Sequence, residues 1–552
     1  MPRMTGGRAI VEAIDREGVE NVFFVPGESL LTIMDGLYGH PRIRLIPARH
    51  EGGASYMALG YALGSGRPGV CMAQRGPGVA NLSIGLHCAD QDSVPMVAFV
   101  SQVGTGGIGR ESHQETDLVS MVRPHCKEVI ELRRPDRVAE MAQMAFRVAQ
   151  EGRPGVVAVV MPDDILRPEV EAEIAPGFHP ARPGLPPDDA AQVIDALGRA
   201  ERPVFMAGGG VQRSGAWQEL QRLAEVIGAP ILNWRQSVIV DGHPSQVWVE
   251  GKASQACLDE ADLFVVVGSR LNEDASLLHA VPPRGKAWIH IDLKPGTAYA
   301  PEPPVLSFAA DARRALSALL EAAGARPVER TRLDARRKWT EEWQRAWRED
   351  SRTPEPHRRA PIHPEIITRA MAEVVPSNAA VSVDIGNFVF WLRRHWQAAE
   401  ANTFYQSSAG SMGSGFSMAI GIQLAQPDRL VVAAAGDGGF MMSVGEVETA
   451  VRLKLPIIAV VFNNSQYGTI RWQQESQYPT RTIGTTYGPT DFAAIAKAMG
   501  AHGERVERPE DVAGAFRRAI DARRTAVIDF VTDPNEIFPG TTISQLRERA
   551  RR

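Results

Sequence analysis

Short runs of almost uninterrupted apolar residues recur through the first third of the chain: NVFFVP (21–26), RLIPA (44–48), PGVCMA (68–73), PMVAFV (95–100) and GVVAVV (155–160). A strand with one wet face alternates polar and apolar residues. A run without alternation is buried on both faces, as inside a parallel sheet covered by helices. Parallel neighbours need crossover connections, and helical segments such as 51–65 and 135–151 supply them. The pattern returns with PVFMAG (203–208), ADLFVVVG (261–268) and AWIHID (287–292). It returns again with AAVSVD (379–384), RLVVAAA (429–435), PIIAVVF (456–462) and AVIDFV (526–531). A Pro-rich stretch at 178–189 and a charged, helix-prone stretch, ERTRLDARRKWTEEWQRAWRED (329–350), separate the three sets. The expected fold class is α/β: three doubly wound parallel-sheet domains at 1–170, 188–325 and 361–545, with 326–360 a charged linker. A chain of 552 residues is too long for one hydrophobic core, which agrees with that division.

Charge and cysteine usage exclude several classes. A net charge of −5 gives no basic surface for nucleic acid. The four cysteines, Cys71, Cys88, Cys126 and Cys257, lack C-x-x-C spacing, so neither a zinc site nor a disulfide scaffold is indicated. No secretory signal and no uncharged apolar run long enough to span a bilayer are visible. The expectation is a cytoplasmic protein acting on a small molecule, with no membrane or nucleic-acid partner.

The strongest local signal lies in the third unit. RLVVAAA runs into Gly436-Asp437-Gly438-Gly439, with a helical pattern from Met441, and PIIAVVF ends in Asn463-Asn464; twenty-four residues separate GDG from NN. Glycines at a strand-to-helix turn let backbone approach a phosphate, and the helix N-terminus offers free N–H groups to it. Asp437 and the Asn464 side-chain oxygen are hard ligands at the carboxyl ends of strands, where α/β sheets bind ligands. Magnesium takes such oxygens together with phosphate and water. The loop Ser465-Gln466-Tyr467-Gly468 offers a main-chain carbonyl besides.

This GDG-x24-NN pattern resembles the signature of thiamine diphosphate (ThDP)-dependent enzymes, and nearly the whole chain resembles their acetolactate synthase group. The resemblance implies Asp437, Asn464 and the Gln466 carbonyl as magnesium ligands. It places Gly436, Gly438, Gly439, Gly468 and Thr469 at the cofactor. ARHEGGASYMALGYA resembles the segment bearing the family's cofactor glutamate, which falls on Glu51. SSAGSMGSGFSMAIG resembles its G-T-M-G element, implying that the Gly410 carbonyl receives the cofactor's amino group and that Met412 wedges the two rings together. HQETDLVSMVRPHCKEV (113–129) resembles a stretch that contributes an active-site glutamine, here Gln114, and a lysine, here Lys127. In this family the two halves of the site meet across a subunit interface, which implies a homodimer or homotetramer.

Departures from the pattern bear on the reaction. After Arg471 comes Trp472 at once, and Gln473 occupies the position where acetolactate synthases carry the tryptophan that selects the second 2-oxo acid. GSRLNEDASL (268–277) stands where they carry a flavin-contacting segment, and the glycines at 208–210 are weak nucleotide evidence, so FAD is not expected. Glu28 replaces a small residue after Pro-Gly and is a candidate acid or base on the substrate side. Gln74 is a candidate pocket residue. An unpaired carboxylate there would repel an anionic substrate. The expected function is ThDP- and magnesium-dependent C–C bond cleavage or formation on a 2-oxo acid, as a lyase or transferase with an altered acceptor site. The alternatives are a lyase or hydrolase of an acyloin or 1,2-diketone, or a non-catalytic paralogue used as a scaffold.

Overall fold

Each of the three sets of buried runs forms one six-stranded sheet. The computed structural model describes residues 2–233, 246–248, 251–273, 275–297, 300, 302–350, 352, 354–396, 398, 400 and 403–551. The first sheet contains β1 (Asn21–Phe24), β2 (Arg44–Pro47), β3 (Gly69–Gln74), β4 (Met96–Gln102), β5 (Glu128–Glu131) and β6 (Val156–Pro162), in the order β2-β1-β3-β4-β6-β5. Every neighbouring pair in it is parallel. Helix α1 (Glu51–Ser65) follows β2, and α2 (Arg75–Gln91) follows β3.

The central sheet has β7 (Pro203–Ala207), β8 (Ile231–Asn233), β9 (Gln246–Trp248), β10 (Leu263–Val267), β11 (Ala287–Asp292) and β12 (Leu306–Ala309), ordered β9-β8-β7-β10-β11-β12. Gly208 and Gly210 have a packing reason here. A Cβ on Gly208 would lie 2.2 Å from the Gly268 carbonyl oxygen, and one on Gly210 2.7 Å from the Gly268 Cα. The charged stretch expected as linker is instead a helix, α3 (Arg330–Asp350), within the same compact unit as this sheet. Its Arg336 is buried and donates to the carbonyls of Leu197, Ala200 and Ile227, at the ends of two helices. A guanidinium suits the negative end of a helix. Trp339 and Trp343 stack on the same side at 5.9 Å. Charge hid an apolar face.

The third sheet has β13 (Ala380–Val383), β14 (Phe404–Gln406), β15 (Val431–Gly436), β16 (Ile457–Asn463), β17 (His502–Val506) and β18 (Ala526–Val531). Its order, β14-β13-β15-β16-β18-β17, repeats the first sheet strand for strand. In both, the chain turns back between the first and third strands of the set, so a crevice opens at their carboxyl ends. Those ends carry Glu28 and Arg75 in one sheet, and Asp384 and Asp437 in the other.

The first and third sheets belong to one compact unit and share one hydrophobic core. Between them lie α1 and α4 (Ser414–Ala425), both buried nearly all round. A helix without a polar face has to be enclosed. Here the enclosure depends on glycine. A Cβ on Gly60 would sit 2.1 Å from the Met418 carbonyl oxygen, and one on Gly421 2.0 Å from that of Met57. Backbone cannot yield as a flexible side chain does. Gly60→Ala or Gly421→Ala should therefore lower stability by about 2–4 kcal/mol in thermal or denaturant unfolding. Gly198→Ala, at a helical position with nothing within 4 Å of the new Cβ, should be neutral or stabilising. Equal effects at all three positions would contradict a close helix crossing.

Candidate functional site

Helix α5 (Asp437–Ser443) begins at Asp437 itself, directly at the end of β15 and not at Met441. The glycines take helical geometry because nothing larger fits. A Cβ on Gly438 would lie 2.8 Å from the Tyr467 ring, and one on Gly439 2.9 Å from Asp384 Oδ2. Asp437 is only 3% exposed. Its Oδ1 accepts from the Gly438 N–H at 3.0 Å, and its Oδ2 from the Ser465 N–H at 2.6 Å. Burial pushes its carboxyl up to about 6, against those hydrogen bonds. Tyr487, edge-on to Tyr467 at 5.0 Å, brings its hydroxyl beside this carboxyl.

The two asparagines divide the work. Asn463 points into the sheet and donates to Asp529 Oδ1 at 2.8 Å and the Thr490 carbonyl at 2.9 Å. Asn464 is half-buried on the crevice side, where its Oδ1 accepts from the Gln466 N–H at 3.2 Å. The Gln466 side chain is pinned between the Pro534 carbonyl and Arg471 Nη1, at 2.8 and 2.9 Å. Gly468 opens α7 (Gly468–Gln477), numbered after α6 (Glu446–Arg452), and the Thr469 hydroxyl donates to Asn387 Oδ1. Oxygen ligands from Asp437 and Asn464 at the ends of adjoining strands fit a hard cation.

The Gly410–Gly413 segment turns just before α4, with Gly410 and Gly413 in the left-handed region at φ +65° and +85°. It is held from three sides. Asp384, fully buried, accepts from the N–H groups of Ile385, Gly413 and Gly415. Tyr56 of α1 shares a 2.5 Å hydrogen bond with Ser411, and Asp92 accepts from both N–H and hydroxyl of Ser408. Met412 is half-buried at the tip of this turn.

Glu51 is the first residue of α1, half-buried, and accepts from Asn81 Nδ2 of α2 at 2.9 Å. Its helix start is tied down by Glu446 of α6, whose buried carboxylate accepts from the Arg49 and His50 N–H groups at 3.0 and 3.1 Å. At the neighbouring strand ends, Glu28 is paired with Arg75 Nη1 at 2.9 Å. Gln74 Nε2 donates to Gln114 Oε1 at 3.1 Å, and Gln74 Oε1 accepts from the Ser29 N–H at 3.3 Å. Glu28, Gln74 and Gln114 thus lie together.

One expected residue falls elsewhere. Lys127 caps a helix end, donating to the Val148 and Glu151 carbonyls at 2.6 and 2.5 Å. Trp472 stacks on Phe538 at 5.6 Å, and Gln473 is exposed on α7. Sequence reasoning missed Arg75, Asp384, Asn387, Glu446 and Tyr56. All five serve neighbours distant in sequence, and only Asp384 and Arg75, at the ends of recognised strands, stood at positions that could have drawn attention.

Family models match the chain domain by domain. The N-terminal TPP (thiamine pyrophosphate, that is, ThDP) binding domain of the thiamine pyrophosphate enzymes matches residues 4–121, their central domain residues 190–319, and their C-terminal TPP binding domain residues 384–530. A probable acetolactate synthase large subunit of Methanocaldococcus jannaschii is 30% identical, over 97% of this chain and 93% of its own. The acetolactate synthase large subunit of Corynebacterium glutamicum is also 30% identical, over 97% of this chain and 88% of its own. A probable large subunit from Methanococcus aeolicus is 29% identical over 98% and 95%. The chain belongs to the thiamine pyrophosphate enzymes, with the three-domain organisation of the acetolactate synthase type.

Proposed function

We propose that this chain breaks or forms a C–C bond beside the carbonyl of a 2-oxo acid, using ThDP and Mg2+, with an acceptor site unlike that of acetolactate synthases. The observation that carries the reading is a pair of oxygen ligands, Asp437 at the switch point of the third sheet and Asn464 at the end of the adjoining strand. Asp437, Asn464 and the Gln466 carbonyl would hold the cation, and the start of α5 the diphosphate. When bound, ThDP supplies a nucleophilic carbon and an electron sink for breaking a bond next to a carbonyl. Glu51 handles a proton at the aminopyrimidine, Met412 and the Gly410 carbonyl orient that ring, and Glu28 with Gln114 moves protons at the substrate. Two copies bring the halves together. Exposed Leu31, Ile84, Met442 and Ile470 beside the half-sites support a contact with a second chain, as dimer or tetramer.

The altered acceptor site rests on Gln473, exposed on α7, while Trp472 is occupied with Phe538. Assays of pyruvate, bulkier 2-oxo acids and acyloins with ThDP and Mg2+ test the reaction. Turnover of a 2-oxo acid without ordinary accumulation of acetolactate is expected. Efficient acetolactate formation from pyruvate would remove the altered acceptor site, and cleavage of acyloins alone would favour the lyase alternative. A scaffold without catalysis would need neither Glu51 nor Asp437.

Three further outcomes follow from the assigned roles. Glu51→Gln should still bind ThDP in calorimetry but lose about 100-fold or more in kcat; full activity would remove its role. Chelating the divalent ion, or Asp437→Asn, should weaken ThDP binding by at least about tenfold, whereas unchanged affinity would contradict the cation seat. Asp384, pushed up to about 7 by burial, contributes stability that is fully present below the unfolded value of about 3.9 and lost as pH rises through about 7. Asp384→Asn removes that titration. The Tm difference between native enzyme and variant should therefore shift in favour of the variant from pH 5 to pH 8, and a constant difference would contradict a neutral, loop-bearing carboxyl.

A further inference from the structure

A carboxylate at Glu28 beside the reaction centre is at odds with an anionic substrate. The structure resolves the conflict through a residue on another strand end. Arg75 opens α2 directly after β3, and Glu28 follows β1; these two strands flank the switch point of the first sheet, where open α/β sheets receive ligands. The Arg75 side chain is 12% exposed and that of Glu28 63%. Arg75 Nη1 carries both the Glu28 bond and a 3.3 Å bond to the His113 carbonyl. Its Nε is buried with no partner among the described residues. The guanidinium is the fixed member of the pair and has donors to spare; the carboxylate is the free member.

The backbone around it is held in an unusual state. Arg75 and Gln114 are both left-handed, at φ +44° and +63°. The Gly76 N–H bonds to the Gln114 carbonyl at 3.1 Å, and the Gln74 and Gln114 side chains join. Non-glycine residues in this region are strained and persist where surroundings impose them, commonly at functional sites. One helical turn further along α2, a Cβ on Gly78 would lie 3.3 Å from Glu51 Oε1. Arg75 thus lies one turn of α2, on the order of 5 Å of helix rise, from the residue that packs against the Glu51 carboxylate.

We propose that Arg75 receives an acidic group that the substrate keeps through the reaction, and that Glu28 is the resting counter-ion this group displaces. The inference rests on the ThDP reading and adds the substrate class to it. A guanidinium fork matches a carboxylate bidentately. It also stabilises that carboxylate as an anion, which opposes its loss as CO2, so the anchored group is a retained one. The same chemistry can come from an acid tail on the donor or from the carboxylate of an acceptor 2-oxo acid. In the resting pair the two charges cancel, so an anionic substrate meets no net repulsion. Displaced from Arg75, Glu28 becomes available for proton transfer.

Calorimetry on the enzyme loaded with ThDP and Mg2+ compares 2-oxoglutarate with 2-oxopentanoate, which differ in the terminal carboxylate. Product analysis, at the low carboligation rate expected here, compares pyruvate with acetaldehyde as acceptors, read as the ratio of acetolactate to acetoin. The native enzyme should prefer the member with the additional carboxylate in one pair by about 10- to 100-fold, the worth of a charge-assisted hydrogen bond, and which pair responds identifies the source. Arg75→Met should abolish the preference while leaving the member without that carboxylate within about threefold. Glu28→Gln, which removes the competing anion, should strengthen the preference in the binding measurement. Opposite signs at two paired residues are not produced by misfolding. No preference in either pair, or equal losses for both members in Arg75→Met, would overturn the proposal. Absence of ThDP binding would remove the cofactor reading instead, and 2-oxoglutarate binding to the cofactor-free native and Arg75→Met proteins would still decide this one.

Discussion

The crossing of α1 over α4 is the contact on which the site depends. Glycines at 60 and 421 let each helix approach the other's backbone carbonyl. That approach brings the first and third sheets into one core. Glu51 stands at the first residue of α1, and the Gly410–Gly413 turn leads into α4. One packed helix pair therefore fixes the direction of two functional elements that are more than three hundred residues apart in sequence. Tyr56–Ser411 and the Glu446 contacts to Arg49 and His50 tighten the same junction with polar bonds. Buried polar groups fully paired in this way rigidify a core.

Much of this was legible in the chain because it depends on local pattern. Continuous apolar runs marked the inner strands, since burial on both faces leaves no alternation. The GDG and NN segments were visible because each is a strand end with its own turn chemistry. Several shorter strands were not: Glu128–Glu131, Leu306–Ala309 and His502–Val506 are edge strands and half polar, and the inner strand Ile231–Asn233 has only three residues. Helix α3 was read as linker because its burial rests on one arginine satisfied by three distant carbonyls and on a few tryptophans among many charges. No sequence window contains those partners.

The site shows the same division. Asp437 and Asn464 were singled out from spacing, whereas Arg75 was not, because its partner Glu28 follows a different strand. The switch-point topology makes these residues neighbours. Two sheets of identical strand order place acidic or ion-paired groups at equivalent crevices. On the proposed reading, one takes a cation and diphosphate and the other, with Glu28, Arg75, Gln74 and Gln114, handles protons and an anionic substrate.

Co-expression of Glu51→Gln and Asp437→Asn chains tests most directly that one copy's Glu51 and another's Asp437 serve the same cofactor. Each variant alone should be inactive, while mixed assemblies should regain activity through sites in which both contributed halves are native. Mixed assemblies as inactive as either variant alone would contradict the account, because the two residues would then act within a single chain or not at one cofactor.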